Sequence, residues 1–292
     1  MSQAAAPEGA TTLQRSTRWP GWKYLLAVGI VVYATFPLLY VLSAAFAESG
    51  TLTGSTSLFT SFSTKNFAAL SDTRYWTWAG NSLQVAITTA AGSVLMGAAA
   101  AYAFSRFRFR GRRTGLTTLL VIQMFPQMLA FVAIFLLLLT LGEVVPALGL
   151  NSKLALICVY LGGALGTNTF LMYGFFNTVP RELDEAAKID GASHAQIFWT
   201  IILRLVLPIL TVVGLLSFVG TYGDFIIAKV LMTQEHNYTI AVGLYQWATR
   251  PLVTPWAQFA AGAVIAAIPV IILFMFLQKY IVSGLTAGSV KG

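Results

Sequence analysis

Residues 154–198 read LALICVYLGGALGTNTFLMYGFFNTVPRELDEAAKIDGASHAQIF. The first half, Leu154–Phe176, has no charged side chain. A helix crosses the hydrocarbon layer in about 20 apolar residues. The second half changes character abruptly. Glu182, Asp184, Glu185 and Asp190 supply four of the chain's ten acids, beside Arg181 and Lys188. One apolar run followed by one charged loop sets the question for the whole chain: how many such runs exist, and what the loop does.

The composition generalises the first half. Of 292 residues, 57% are hydrophobic and 10% charged, against about 25% charged in an ordinary soluble domain. Mean hydropathy is +0.75. Six apolar runs occur, at about Tyr24–Phe46, Ser82–Ser105, Gly115–Leu141, Leu154–Phe176, Leu205–Ala228 and Gln258–Leu277, and Asp224 is the one charged residue in them. In lipid every backbone N–H and C=O must be satisfied within the protein, so runs of this length are helices. Barrel strands would alternate over about ten residues, and these do not. The expected fold is all-α, a polytopic membrane protein with six transmembrane helices. Ala45–Ala47 has the look of a signal-peptidase site, but the preceding run exceeds the roughly 7–15 residues of a signal core, so the first span is expected to stay uncleaved.

The net charge of +8 is explained by topology. Arg15, Arg18 and Lys23 precede span 1. Arg106, Arg108, Arg110, Arg112 and Arg113 follow span 2, Arg181, Lys188 and Arg204 follow span 4, and Lys279 and Lys291 follow span 6. With six spans, 13 of the 18 basic residues share one side. Short loops rich in Lys and Arg stay in the cytoplasm, which puts both termini and the charged loop there.

The charged loop reads as two helices with a break. Pro180 suits a first turn, where its missing N–H costs nothing. Glu182, Asp184 and Glu185 favour the positive end of that helix. Gly191 can take the left-handed conformation that ends it. Ser193 and Gln196 form a capping-box pattern for a second helix, with Ile197, Phe198, Ile201 and Ile202 on one face. Small Ala186 and Ala187 would let another protein approach closely. A solvated amphipathic connector remains the alternative on these residues alone.

Glu185-Ala186-Ala187, three residues, Gly191, nine residues, then Ile201 and Leu203, resembles the EAA loop of ABC-importer permeases. Arg204 stands where that pattern has proline, and Pro208 follows four residues later. Gly284–Gly292, GLTAGSVKG, resembles the tail of maltose/maltodextrin (MalG-like) permeases. The resemblance implies an ABC transmembrane type-1 permease domain over 78–282, with the coupling loop at about 180–204, after a cytoplasmic segment 1–23 and a first helix 24–46, and before a cytoplasmic tail 283–292. It implies a bacterial cell membrane location. It implies as partners a cytosolic ABC ATPase dimer docked on the EAA residues, a second homologous permease and an extracytoplasmic sugar-binding protein.

No nucleotide site is expected in the chain itself. No Gly precedes any of its seven lysines, as a phosphate-binding Gly-Lys-Ser/Thr loop requires. ATP and Mg therefore belong to the partner ATPase, and the chain is read as a non-catalytic subunit. Cys158 is the single cysteine, and His194 and His236 are far apart, which excludes a disulfide and gives no metal-ligand spacing. Polar groups within apolar runs are functional candidates by default: Gln123, Tyr160, Asn168, Tyr222 and Asp224 are candidates for a translocation path. Tyr245 and Trp247 belong either to an interfacial aromatic belt or to a surface touching the binding protein. The substrate is read as maltose, a maltodextrin or a related sugar such as trehalose. The competing reading is an ion-coupled secondary sugar transporter. It needs paired ionisable residues at mid-membrane or an internal repeat, and neither is visible. A membrane enzyme would need a nucleophile–base pair or a metal site, and the clustered carboxylates offer neither.

Overall fold

The computed structural model of the chain describes residues 21–48, 58–59, 61–125, 127–249 and 256–287. Arg15, Arg18, Arg250 and the end of the tail from residue 288 lie outside them. Among the described residues every regular element is helical. The principal helices are α1 (Gly21–Ala45), α2 (Tyr75–Arg106), α3 (Arg112–Gln123), α4 (Gln127–Val144), α5 (Lys153–Phe176), α6 (Glu182–Ile189), α7 (His194–Leu205), α8 (Leu207–Gly223), α9 (Ile226–Leu231), α10 (Ile240–Ala248) and α11 (Trp256–Ala287).

Four of them, α1, α2, α5 and α11, are long and apolar enough to cross a membrane, and α7 with α8 forms a fifth, bent pair. Two expected spans are thereby corrected. The run 115–141 is divided: α3 stops at Gln123 and α4 starts at Gln127. The sequence has Pro126 between them, and a proline offers no N–H to carry a helix ladder onward. The run 205–228 is shorter than expected. α8 begins at Leu207 with Pro208 in its first turn and ends at Gly223, and Ala228 belongs to α9.

α1 meets the bundle chiefly through α11, where Ala45 packs on Ala260 and Ala261. Its apolar side chains are open along nearly the whole length, Tyr33 at 84% exposure, and only its last turn is buried. Such a surface is stable against lipid, where apolar contact with a neighbouring helix has no hydrophobic advantage over a lipid tail. α2 and α5, by contrast, pack closely along their length. A Cβ on Gly97 of α2 would sit 3.2 Å from Met172 Sδ and 3.3 Å from Asn168 Cβ of α5. Small residues let helix backbones approach closely in this way.

α2 threads two cores. At one end Tyr75, Trp78 and Val85 pack with Tyr238, Val242 and Trp247, and at the other Ala98, Ala101 and Tyr102 pack with Met172, Phe176, Ile197 and Ile202. The first end is also tied by polar groups. Trp78 Nε1 donates to the Glu235 carbonyl at 2.8 Å, Asn81 Nδ2 to the carbonyls of His236 and Tyr238 at 2.9 and 3.0 Å, and Tyr75 OH to the Gly262 carbonyl at 2.7 Å. The carbonyls of residues 235–238 lie in the connection between α9 and α10, where such partners are needed, while Gly262 belongs to α11 and is tied to α2 by the Tyr75 hydroxyl.

Gly243 of α10 lies directly on Trp78: a Cβ there would come within 2.1 Å of the indole. Gly243→Ala should destabilise the detergent-solubilised protein by about 1–3 kcal/mol, the usual cost of overpacking. Gly174→Ala, where a Cβ meets nothing within 4 Å, should leave the unfolding midpoint unchanged or higher in the same thermal melt.

Candidate functional site: a charged helix pair and a polar cavity

The helix–Gly–helix reading of 180–204 holds with one correction: Arg181 is the N-cap of α6, so Pro180 lies before the helix and not in its first turn. α6 carries Glu182, Asp184 and Glu185 in its first turn. Gly191 has φ +83°, the left-handed region that favours glycine. The capping box closes reciprocally: the Ser193 N–H donates to Gln196 Oε1 at 2.7 Å, and the Gln196 N–H donates to Ser193 Oγ at 3.3 Å. α7 buries Ile197, Phe198 and Ile202, leaves Ile201 and Leu203 half-buried, and contains a π-helical turn over Ile197–Ile202. Its axis meets that of α8 at 81°. The exposed Arg204 therefore lies on the surface helix, before the bend, and Pro208 opens the membrane helix after it.

The two faces of α6 differ. Glu185, Ala186 and Lys188 are exposed, and Ile189 is 87% exposed. Asp184 and Ala187 point inward. The expectation that both alanines offer an approach surface is corrected: Ala186 does, whereas Ala187 packs within the core beneath the helix.

Asp184 is held by the last residue of α2. Arg106 Nε lies 2.6 Å from Asp184 Oδ2, and the two side chains are 4% and 8% exposed. Arg106 also donates to the Val179 carbonyl at 3.0 Å and to Ser105 Oγ at 3.3 Å, while Arg181 donates to the Ser105 carbonyl at 2.9 Å. Around them Tyr102 OH is 3.4 Å from His194 Nδ1, Phe107 meets the His194 ring edge-on at 4.9 Å, and Tyr102 tilts against Phe198 at 5.2 Å. The cation sits at a helix C-terminus, where the helix dipole favours it. A desolvated pair is weak evidence for net stability, but removing one partner strands a buried charge at a cost of about 3–5 kcal/mol.

A cavity of about 510 Å³ lies within the bundle. Four of the five polar groups singled out within the apolar runs, Gln123, Tyr160, Asn168 and Asp224, line it together with Thr89 and Ser217. Asp224 Oδ1 accepts from Tyr160 OH at 2.8 Å and from the N–H groups of Ile227 and Ala228 at 3.1 and 3.2 Å, so it also caps α9. Asn168 donates to Ser217 Oγ at 3.2 Å, and Gln123 to the Gly163 carbonyl at 3.0 Å. The Thr89 hydroxyl is buried and has no protein partner. Tyr222 is the exception: it is buried, stacks on Phe218 at 5.5 Å, and is not among the lining residues. It is a packing residue. Trp247 is likewise corrected. It is 5% exposed and packs against Trp78, while Tyr245 is 44% exposed.

Residues 93–287 match the family described as the inner-membrane component of binding-protein-dependent transport systems. The chain belongs to that family. It is 41% identical over 276 residues to the galactooligosaccharides transport system permease protein GanQ of Bacillus subtilis strain 168, covering 93% of this chain and 95% of GanQ. It is 40% identical over 270 residues to the maltodextrin transport system permease protein MdxG of the same strain, covering 92% and 95%. Its fold is that of a chain in the crystal structure of a bacterial ABC transporter that imports alginate, with a TM-score of 0.76 at 24% identity, covering 89% of this chain and 96% of that one.

For an inner-membrane component of this family the residue that sequence reasoning missed is Arg106. It was one of five arginines assigned to loop topology. The signal was its position: it alone follows the apolar run without a gap, on the last turn of a helix, where a desolvated charge needs a partner. Ser193→Ala should remove the cap of α7 at a cost of about 1 kcal/mol. Hydrogen exchange should then speed up at the amides of 194–198 and stay unchanged in α5. Unaltered exchange at 194–198 would mean the cap is not holding the helix end.

Proposed function

We propose that the chain is one of two permease subunits of an ATP-driven importer of oligosaccharides, with α6 as the helix on which a cytosolic ATPase docks. The observation that carries this is the loop itself. Its Glu185-to-Leu203 spacing resembles the EAA pattern. Its outer face presents a carboxylate, a small residue and an exposed Ile189, while its inner face is anchored to the bundle. An exposed large apolar side chain on a charged surface helix is suited to an interface.

Relatives for galactooligosaccharides and for maltodextrin match almost equally well. The substrate class they share is an oligosaccharide, so the reading commits to that class and not to maltose. A pocket of 300–1,000 Å³ is the usual scale for a ligand site, and the cavity, with hydroxyl, amide and carboxylate groups along one wall, suits a polyhydroxylated solute passing through. Gln123, Asn168, Asp224 and the unpartnered Thr89 hydroxyl are the groups we assign to that path. A companion permease would supply the opposing wall.

ATP and Mg would be held by the ATPase dimer, whose closure would draw α6 with it and shift the bundle between inward- and outward-open states. The loaded binding protein would have to favour one of these states to drive the cycle. The excess of Lys and Arg on its loops supports a cytoplasmic side for the α6 end, which would leave the Tyr245 end to the binding protein. Tyr245, which packs on Phe225, is the contact residue there, and Trp247 is buried against Trp78.

The test is recovery of the ATPase with the tagged chain. Glu185→Ala and Ala186→Leu should each lower the co-purifying ATPase at least about tenfold, since a few residues dominate an interface. Ala195→Leu, on the exposed surface of α7, should not. Full recovery in both α6 variants would remove the docking role.

A further inference from the structure

We propose that Arg106 is the positioning residue through which motion of α6 enters the membrane bundle, so that α2 moves with α6 as one unit. The proposal rests on the docking role assigned above to α6. It arises from a contrast between covalent and non-covalent links.

The chain connects α6 to the bundle at both ends, and both connections are irregular. On one side the irregular segment 177–181 leads back to α5. On the other lie Gly191 at φ +83°, the π turn of α7 and the 81° bend before α8. π-helical turns and bends of this kind are where helices yield. The non-covalent link is short and buried. Arg106 engages Asp184 through Nε at 2.6 Å and the Val179 carbonyl at 3.0 Å, both at a site withdrawn from water. Arg181 reaches back to the Ser105 carbonyl at 2.9 Å. The guanidinium thus holds α6 and the segment before it against the last turn of α2. From there α2 is one unbroken helix to Tyr75. It passes Gly97, in close contact with Asn168 of α5, and Thr89, on the cavity wall. A pull on α6 therefore reaches the cavity through α2, whereas the route through α7 and α8 would be absorbed at the bend.

The measurement is the ratio of sugar moved to ATP hydrolysed. The complete complex, with the ATPase, companion permease and binding protein that accompany the wild-type chain, is reconstituted in liposomes. Uptake of radiolabelled maltotriose or galactotriose and hydrolysis are followed together. Arg106→Gln and Asp184→Asn should keep the ATPase bound and hydrolysing, while the ratio falls about tenfold, a typical size for coupling between two sites. Arg106→Lys, which keeps a cation opposite Asp184, should recover most of the ratio.

The double variant Arg106→Gln/Asp184→Asn leaves no stranded charge, so its folding is relieved. Its ratio should nevertheless stay low. A merely structural pair would instead make uptake and hydrolysis fall together in the single variants and recover together in the double one, and that result would overturn the proposal. So would loss of the ATPase from every variant, which would make the pair an assembly element. Failure of the wild-type chain to retain any ATPase is a separate outcome: it would sink the docking reading of α6, on which the proposal depends.

Discussion

A guanidinium and a carboxylate 2.6 Å apart, both withdrawn from water, join the one acidic loop of this chain to its apolar bundle. Neither ion is comfortable alone in such a place, because an unpaired buried charge is far costlier than an unpaired buried amide. Each therefore dictates where the other's helix can lie. Arg106 fixes the end of α2, and Asp184 fixes the rotation of α6. With Asp184 turned inward, Glu185 and Ala186 must face out, since neighbours in a helix are about 100° apart. The exposed face that gives the loop its proposed role is thus set by the buried ion on its other side.

The remainder of the fold obeys a different constraint, the pairing of backbone groups in lipid. Where helices run unbroken the constraint meets itself, and the outward surface needs no polar group at all, as on α1. Where they break, side chains take over. Asp224 collects the free N–H groups at the start of α9, and at the interruption after α3 Gln123 ties the end of that helix to the Gly163 carbonyl of α5. Both breaks border the cavity. Irregular backbone at membrane depth is tolerated beside a water-filled space or within protein, so the breaks and the cavity belong to one feature of the design.

Much of this was legible in the sequence. Apolar runs pointed to a polytopic helical protein, and Gly191, Ser193 and Gln196 specified the break and the second helix of the pair, whereas Pro180 marked the start of the first two residues too early. The limits have physical reasons. Hydropathy averages over a window, so it cannot see that a run is divided between Gln123 and Gln127, or that a bend after α7 shortens the fifth. Polarity marks a residue as exceptional in lipid but not which way it points. Asn168 and Tyr222 looked alike by that measure, yet one lines the cavity and the other stacks on Phe218. Trp247 likewise had the type of a contact residue and the position of a core residue. Arg106 and Asp184 lie 78 positions apart, and charges at such separation carry no periodic signature.

Whether α6 and α2 move as one body can be read from distances. With Cys158, the exposed native thiol, replaced by Ser, spin labels would be placed at Ile189 of α6 and at either Met96 of α2 or Val219 of α8, all on exposed positions. Distances would be taken in the full complex without nucleotide and with ATP trapped. The account predicts that the Ile189–Met96 distance stays constant within about 2 Å, the scale of small helix shifts, while Ile189–Val219 changes by more. A change of equal size in both pairs, or a larger one between Ile189 and Met96, would contradict it.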